Sequence, residues 1–179
     1  MKRAIKALGL MTLIVGVVGM GKGSGADHGQ KLVDQVDLKK FMGDWYVIAS
    51  IPTMFEKRAV NAVENYTWNA KGYVDVTFTY NQDKPDGKAK RMTQKGFIYD
   101  QESNAEWRVQ PLWPLRLGYL ILDLAEDYNY TVIGVPNRKY LWIMAREPSL
   151  SDSVYQNILG RVEQQGYAIS EIHKVPQIW

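Results

Sequence analysis

From about residue 36 to Arg146 apolar and polar residues alternate with a period of two, and the alternation is interrupted mainly at turn-forming residues. The clearest stretch is Val74 to Tyr80, where Val74, Val76, Phe78 and Tyr80 share one face and Asp75, Thr77 and Thr79 the other. Ala105, Trp107 and Val109 alternate with Glu106, Arg108 and Gln110 in the same way. Such segments are strands with one buried and one wet face. Between them, residues 81–87 read Asn-Gln-Asp-Lys-Pro-Asp-Gly, in which proline fixes φ and glycine permits a positive one. Taking the turns in order predicts strands near 45–52, 59–69, 73–81, 88–100, 104–110, 117–125, 128–135 and 139–146. Their short connections suit antiparallel neighbours. An open sheet of eight twisted strands would leave one face and two edges uncovered, and closure removes both problems. The expected fold is all-β, an eight-stranded antiparallel up-and-down barrel.

After Pro148 the period changes. Ser151 or Asp152 can cap a helix, Val154, Ile158, Leu159 and Val162 lie on one helical face, and Gly166 ends it. This C-terminal helix is expected to pack outside the barrel, with residues 167–175 available for a short outer strand. At the other end, Lys2, Arg3 and Lys6 precede the apolar run Ala7–Met20, a pattern expected of an export signal. Ser24 and Ala26 have the spacing for cleavage before Asp27, with an uncleaved interfacial anchor as the alternative. The expected organisation is a signal segment at 1–26, a linker at 27–35 and a barrel domain at 36–179.

Composition narrows the chemistry. The net charge of +3 is spread along the chain, so no nucleic-acid partner is expected. The absence of cysteine excludes disulfides, thiolate metal sites, thiol nucleophiles and lipid attached through sulfur. The two histidines, His28 in the linker and His173 in the tail, are expected outside the barrel and no His pair has metal-binding spacing, so neither a metal nor a catalytic triad is expected. No cofactor is called for. An enzyme remains the alternative, with an inward tyrosine or Asp123 as acid or base.

Three local patterns coincide with this architecture. Gly43-Asp44-Trp45 opens the first strand, Asp127-Tyr128 sits at the turn into the seventh, and Arg146 closes the eighth. Together they resemble the motifs of the lipocalin family, and the run Tyr140 to Arg146 followed by Pro148 is similar to the bacterial lipocalins over roughly residues 35–175. Strand alternation brings all three to one end of the barrel, where Arg146 can lie across the face of Trp45. Gly43, Trp45, Asp127, Tyr128 and Arg146 are therefore read as structural. The resemblance implies a binding protein for a small hydrophobic ligand, a role in storage or transport, and an envelope location. Bacterial members are commonly outer-membrane lipoproteins. Here Val17-Val18-Gly19-Met20 has methionine where the acceptor cysteine belongs, which points to an exported, periplasmic protein without a covalent anchor, with association with the outer membrane by other contacts as the alternative.

The opposite, open end carries residues 52–58, 81–88, 111–117 and 136–139. Met54 and Phe55 in the first turn, and Leu112 and Trp113 in the third, are apolar for loops and suggest a ligand portal, a membrane-surface contact or a homodimer interface. Phe78, Tyr80, Trp107, Val109, Tyr119 and Trp142 are the expected inward ligand-binding residues, the alternative being that they only fill the core. Lys84, Lys88, Lys90 and Arg91 either solvate a hairpin or attract an anionic head group. With the latter, the expected ligand is a fatty acid or a lysophospholipid.

Overall fold

The computed structural model describes residues 29–179, so the expected signal segment, Met20 and His28 lie outside the described residues. Helix α1 is a single turn, Leu38–Phe41. Then follow β1 (Gly43–Ile51), β2 (Ala59–Asn69), β3 (Tyr73–Gln82), β4 (Ala89–Ile98), β5 (Glu106–Leu112), β6 (Leu115–Leu124), β7 (Tyr130–Gly134) and β8 (Leu141–Ala145). Helix α2 (Asp152–Gln164) and a two-residue strand β9 (His173–Lys174) complete the order. Each of β1–β8 pairs antiparallel with its sequence neighbour, and β1 also pairs with β8, so the eight strands close into a barrel. Among the described residues no helix is long and apolar enough to cross a membrane.

The alternation divides the apolar residues into two layers. The inner one fills the barrel and includes Trp45, Tyr66, Val76, Phe78, Trp107, Tyr119, Ile133 and Met144. The outer one, Leu120, Val132, Leu141 and Ile143 among others, is covered by Tyr155, Ile158 and Val162 of α2. Ser151 caps that helix by accepting from the Val154 N–H. Its end is marked by Gly166 at φ +86°, where the Tyr167 N–H reaches back to the Val162 carbonyl. Val154 and Leu159, expected on the same apolar face as Ile158 and Val162, lie at its margin, and Tyr155 lies inside it.

Tyr167 fixes the helix to the sheet through a contact that admits no side chain opposite. A Cβ on Gly134 would lie 2.1 Å from the Tyr167 hydroxyl and 2.6 Å from Leu122 Cδ1. Gly134→Ala is therefore expected to destabilise the fold by roughly 1–3 kcal/mol through overpacking, read as a lower midpoint in urea unfolding. The segment before the barrel is tied down on the same side: Gln30 Nε2 donates to Val135 O, and Arg138 donates to Gly29 O and Gln165 O.

Strands β1 and β2 pair only from Gly43↔Tyr66 to Tyr46↔Val63. Above that point the C-terminal residues lie between them. Strand β9 pairs with Ala49 and Ser50, Pro176 O accepts from Asn61 N, and Gln177 Nε2 donates to Val47 O at 2.9 Å and Ala62 O at 3.0 Å. One side-chain amide thus bridges carbonyls of two strands that have parted. Asn61, buried at positive φ in a bulge of β2, receives the Ile178 N–H and donates back to its carbonyl.

Two expectations need correction. The apolar loop expected at 111–117 is a projecting hairpin: β5 runs on to Leu112, β6 begins at Leu115, and only Trp113 and Pro114 form the tip. Pro111 is accommodated because the ladder is irregular between Val109 and Leu112, so no regular N–H is lost there. Asp123, expected to point inward, instead accepts from Arg161 Nε of α2 at 2.7 Å. A bulge between Ile121 and Asp123 reverses the inside–outside phase.

Candidate functional site

The three sequence motifs meet at the closed end. Asp37 caps α1 by accepting from the Lys39 and Lys40 N–H groups, and the helix drives Phe41 into the barrel floor. Trp45 donates its indole N–H to Phe41 O at 2.8 Å. The Arg146 guanidinium lies 3.7 Å from the Trp45 ring centroid, a cation–π distance. It also donates to the carbonyls of Lys40, Phe41, Met42 and Asp44. One planar cation therefore terminates α1 and covers the indole together. Gly43 makes this possible: its φ is +97°, and a Cβ there would sit 3.4 Å from Arg146 Nη1. Asp127 accepts from the Asn129 N–H, while Tyr128, at φ +61°, uses its hydroxyl to accept from Asp37 N. These contacts make a floor.

Above the floor comes an aromatic layer. The rings of Trp107 and Tyr119 stack at 5.4 Å, and Phe41 lies 5.2–5.5 Å from Trp45, Tyr66 and Trp107. Gly96 faces Trp107, with only 3.2 Å left between its missing Cβ and the indole. Of the residues expected inside, Phe78, Tyr80, Trp107, Val109 and Tyr119 lie in the inner apolar cluster, with Trp142 half-buried against it.

Toward the other end the inner face becomes exposed. Leu117 shares the inner face with Tyr119, because Val109↔Leu117 and Trp107↔Tyr119 are paired in register, yet Leu117 is 48% exposed. Leu112 and Trp113 on the same hairpin, and Met54 and Phe55 in the β1–β2 loop, are exposed too, with Trp113 at 81%. The β1–β2 loop is held to the wall by Tyr80, whose hydroxyl donates to Phe55 O. Of the basic residues, Lys84 pairs with Asp86 at 3.3 Å, Lys88 and Arg91 are exposed, and Lys90 lies half-buried opposite Tyr80 on the inner face.

Two acids were missed by the sequence reading. Glu64 occupies the inward phase of β2, paired with Phe78 on one side and Trp45 on the other. Its Oε2 accepts from the Tyr66 hydroxyl at 2.6 Å, and the Tyr66 and Tyr119 hydroxyls are hydrogen-bonded to each other. Burial pushes the Glu64 carboxyl up to about 7, against the Tyr66 hydrogen bond, which lowers it. Glu56 at the mouth accepts from Thr53 N and meets the Trp142 side chain, and burial raises its pKa too. The legible signal was a charged residue in the inward phase, between Ala62 and Tyr66.

A closed eight-stranded barrel with Gly43-x-Trp45 and Arg146 sealing one end agrees with the comparison by sequence, in which the model of the Lipocalin-like domain matches residues 36–177. The chain belongs to the lipocalin family. Temperature-induced lipocalin-1 of Arabidopsis thaliana is 31% identical over 156 residues, covering 82% of each chain. Outer membrane lipoprotein Blc of Escherichia coli is 29% identical over 151 residues, covering 84% of each. Among solved structures, lobster apocrustacyanin A1 superposes with a TM-score of 0.63 at 14% identity over 79% of both chains, a likeness of fold. Lipocalins are in general binding and transport proteins for hydrophobic molecules. In this lipocalin the recognisable motifs serve the floor, and the side chains that grade from buried to exposed are at the other end.

Proposed function

We propose that this lipocalin binds, stores or transports one small hydrophobic molecule in the bacterial cell envelope and catalyses no reaction. The observation that carries the reading is the apolar inner face, which passes from buried to exposed toward the open end. On the inner face, apolar side chains run from the buried Trp107 and Tyr119 to the half-exposed Leu117, and the loops of that end carry the exposed Phe55 and Trp113. A molecule entering there leaves water for an apolar wall, and each Å² of apolar surface removed gains roughly 25 cal/mol. A fatty acid or a lysophospholipid fits this geometry with its chain inward and its head group near Lys88, Lys90 and Arg91. The name of the Escherichia coli relative, an outer membrane lipoprotein, supports an exported, periplasmic location.

The exposed rim also supports a membrane-surface contact through which such a ligand would pass. Lipid extraction from the purified protein followed by mass spectrometry is expected to recover a bound amphiphile. Protein recovered empty that binds neither a fluorescent fatty acid nor a neutral apolar fluorophore would defeat the reading, and failure with the fatty acid alone would remove only that ligand. Replacing Phe55 and Trp113 with Asp should weaken co-sedimentation with anionic vesicles about tenfold without moving the melting temperature, since both side chains are already exposed. Unchanged co-sedimentation would remove the membrane contact alone.

A further inference from the structure

Glu64 is 8% exposed, and the hydrogen bond it receives, from Tyr66, goes to Oε2. Among the described residues no sealed side-chain oxygen or nitrogen lacks a partner, so Glu64 Oε1, which has none, must border accessible space. The walls beside it are Phe78, which has no polar group, and Trp45, whose indole N–H is already donated to Phe41 O. The described ion pairs are Arg58–Asp83, Lys84–Asp86, Arg108–Glu106 and Arg161–Asp123, and neither Glu64 nor Glu56 belongs to one. The groups facing Glu64 are the hydroxyls of Tyr66 and Tyr119 and, from the mouth, Glu56. Lys90 is the half-buried cation on the inner face, and it sits at the rim in register with Tyr80. The interior is thus aromatic and acidic, and the floor cation, Arg146, is committed to the Trp45 ring and to backbone carbonyls rather than to Glu64.

We propose that Glu64 is the polar recognition point inside the barrel and that it selects lipophilic molecules bearing a cationic amine over lipophilic carboxylates. This rests on the carrier reading given above, and at the deep site it replaces a fatty acid with a lipophilic amine as the ligand class. An alkylammonium donates to Oε1, leaves the Tyr66 bond at Oε2 intact, and supplies the countercharge that the buried carboxylate lacks. A carboxylate in the same position would set two acids against each other in an apolar surround. It would be confined to the rim, where Lys90 lies. Aromatic side chains on the same inner face, Tyr66 and Phe78, favour a cation further.

Competition against the neutral fluorophore N-phenyl-1-naphthylamine separates the possibilities. At about pH 8, dodecylammonium is expected to displace it at roughly tenfold lower concentration than dodecanoate. In Glu64→Gln, which keeps an acceptor for Tyr66, that preference should disappear, whereas Glu56→Gln should retain it. In the unmodified protein the preference should also shrink about tenfold on acidification to about pH 5.5, because Glu64 becomes neutral while an alkylammonium stays charged to about pH 10. The pH series tests the proposal even if the variant fails to fold. Equal displacement by the two amphiphiles, or a preference untouched by both Glu64→Gln and acid, would overturn it while leaving the carrier reading in place. If neither the fluorophore nor dodecylammonium binds, by calorimetry as well, the carrier reading falls and this proposal with it.

Discussion

Arg146→Ala is expected to lower the melting temperature by about 10 °C and to leave ligand affinity of the folded fraction unchanged. The lost contacts are one cation–π interaction with Trp45 and hydrogen bonds to four backbone carbonyls, three of them at the end of α1. A partly desolvated cation–π contact contributes about 1–2 kcal/mol and a charged hydrogen bond about 1.5–3, though these do not add, because water reaches some of the carbonyls. A total near 3–4 kcal/mol is reasonable, and for a chain of this size each kcal/mol moves the midpoint by about 2–4 °C. Arg146→Lys should recover little, since an ammonium cannot span four carbonyls and lie flat on an indole. Thermal melts with titrations on the folded fraction check both halves. A melting temperature unaffected by Arg146→Ala would show that the floor does not depend on its arginine.

Glu64→Gln should raise stability at high pH and leave it unaltered in acid. The carboxyl titrates at about 7 in the fold, against an ordinary 4.5, chiefly because burial penalises its charge. The fold therefore prefers the protonated form. Its stability is fully present below about pH 4.5 and is lost progressively as pH rises through 7. The rise from 4.5 to about 7 corresponds to about 3 kcal/mol at pH 8. Glutamine removes that loss, so the variant should melt roughly 6–12 °C above the unmodified protein at about pH 8, and the two should converge near pH 4.5. Glu56 is raised in the same direction by burial and should leave a smaller slope in the variant. Parallel stability curves across this range would mean that Glu64 is already ionised without penalty.

The barrel and its floor were legible for different reasons. Alternation from Val74 to Tyr80 defines a strand with an inner face, and counting strand directions brings Trp45, Tyr128 and Arg146 to one end. What alternation cannot reveal is a change of phase. Bulges between Val47 and Ala49, Val60 and Val63, and Ile121 and Asp123 each shift the inside–outside order, which is why Asp123 meets α2 rather than the interior. Prolines 111 and 114 read as breakers, yet a hairpin extending beyond the barrel has few N–H groups to lose. Glu64 was passed over because a carboxylate in an inward phase contradicts the apolar pattern. Such a contradiction is where function concentrates. The insertion of Gln177 between Val47 and Ala62 depends on contacts more than a hundred residues apart, with no local trace in the chain.

That insertion also orders events in time. Strands β1 and β2 are neighbours in sequence, but the upper wall between them is finished by residues 173–178, and Asn61 waits for a partner 117 positions downstream. On a ribosome, which releases the chain from its amino end, every other strand pairing becomes available before this one. Until then the carbonyls of Val47 and Ala62 form an unfinished edge, open to a strand from a neighbouring molecule. A stalled or clipped chain lacking those residues would hold most of a barrel and also a site for aggregation.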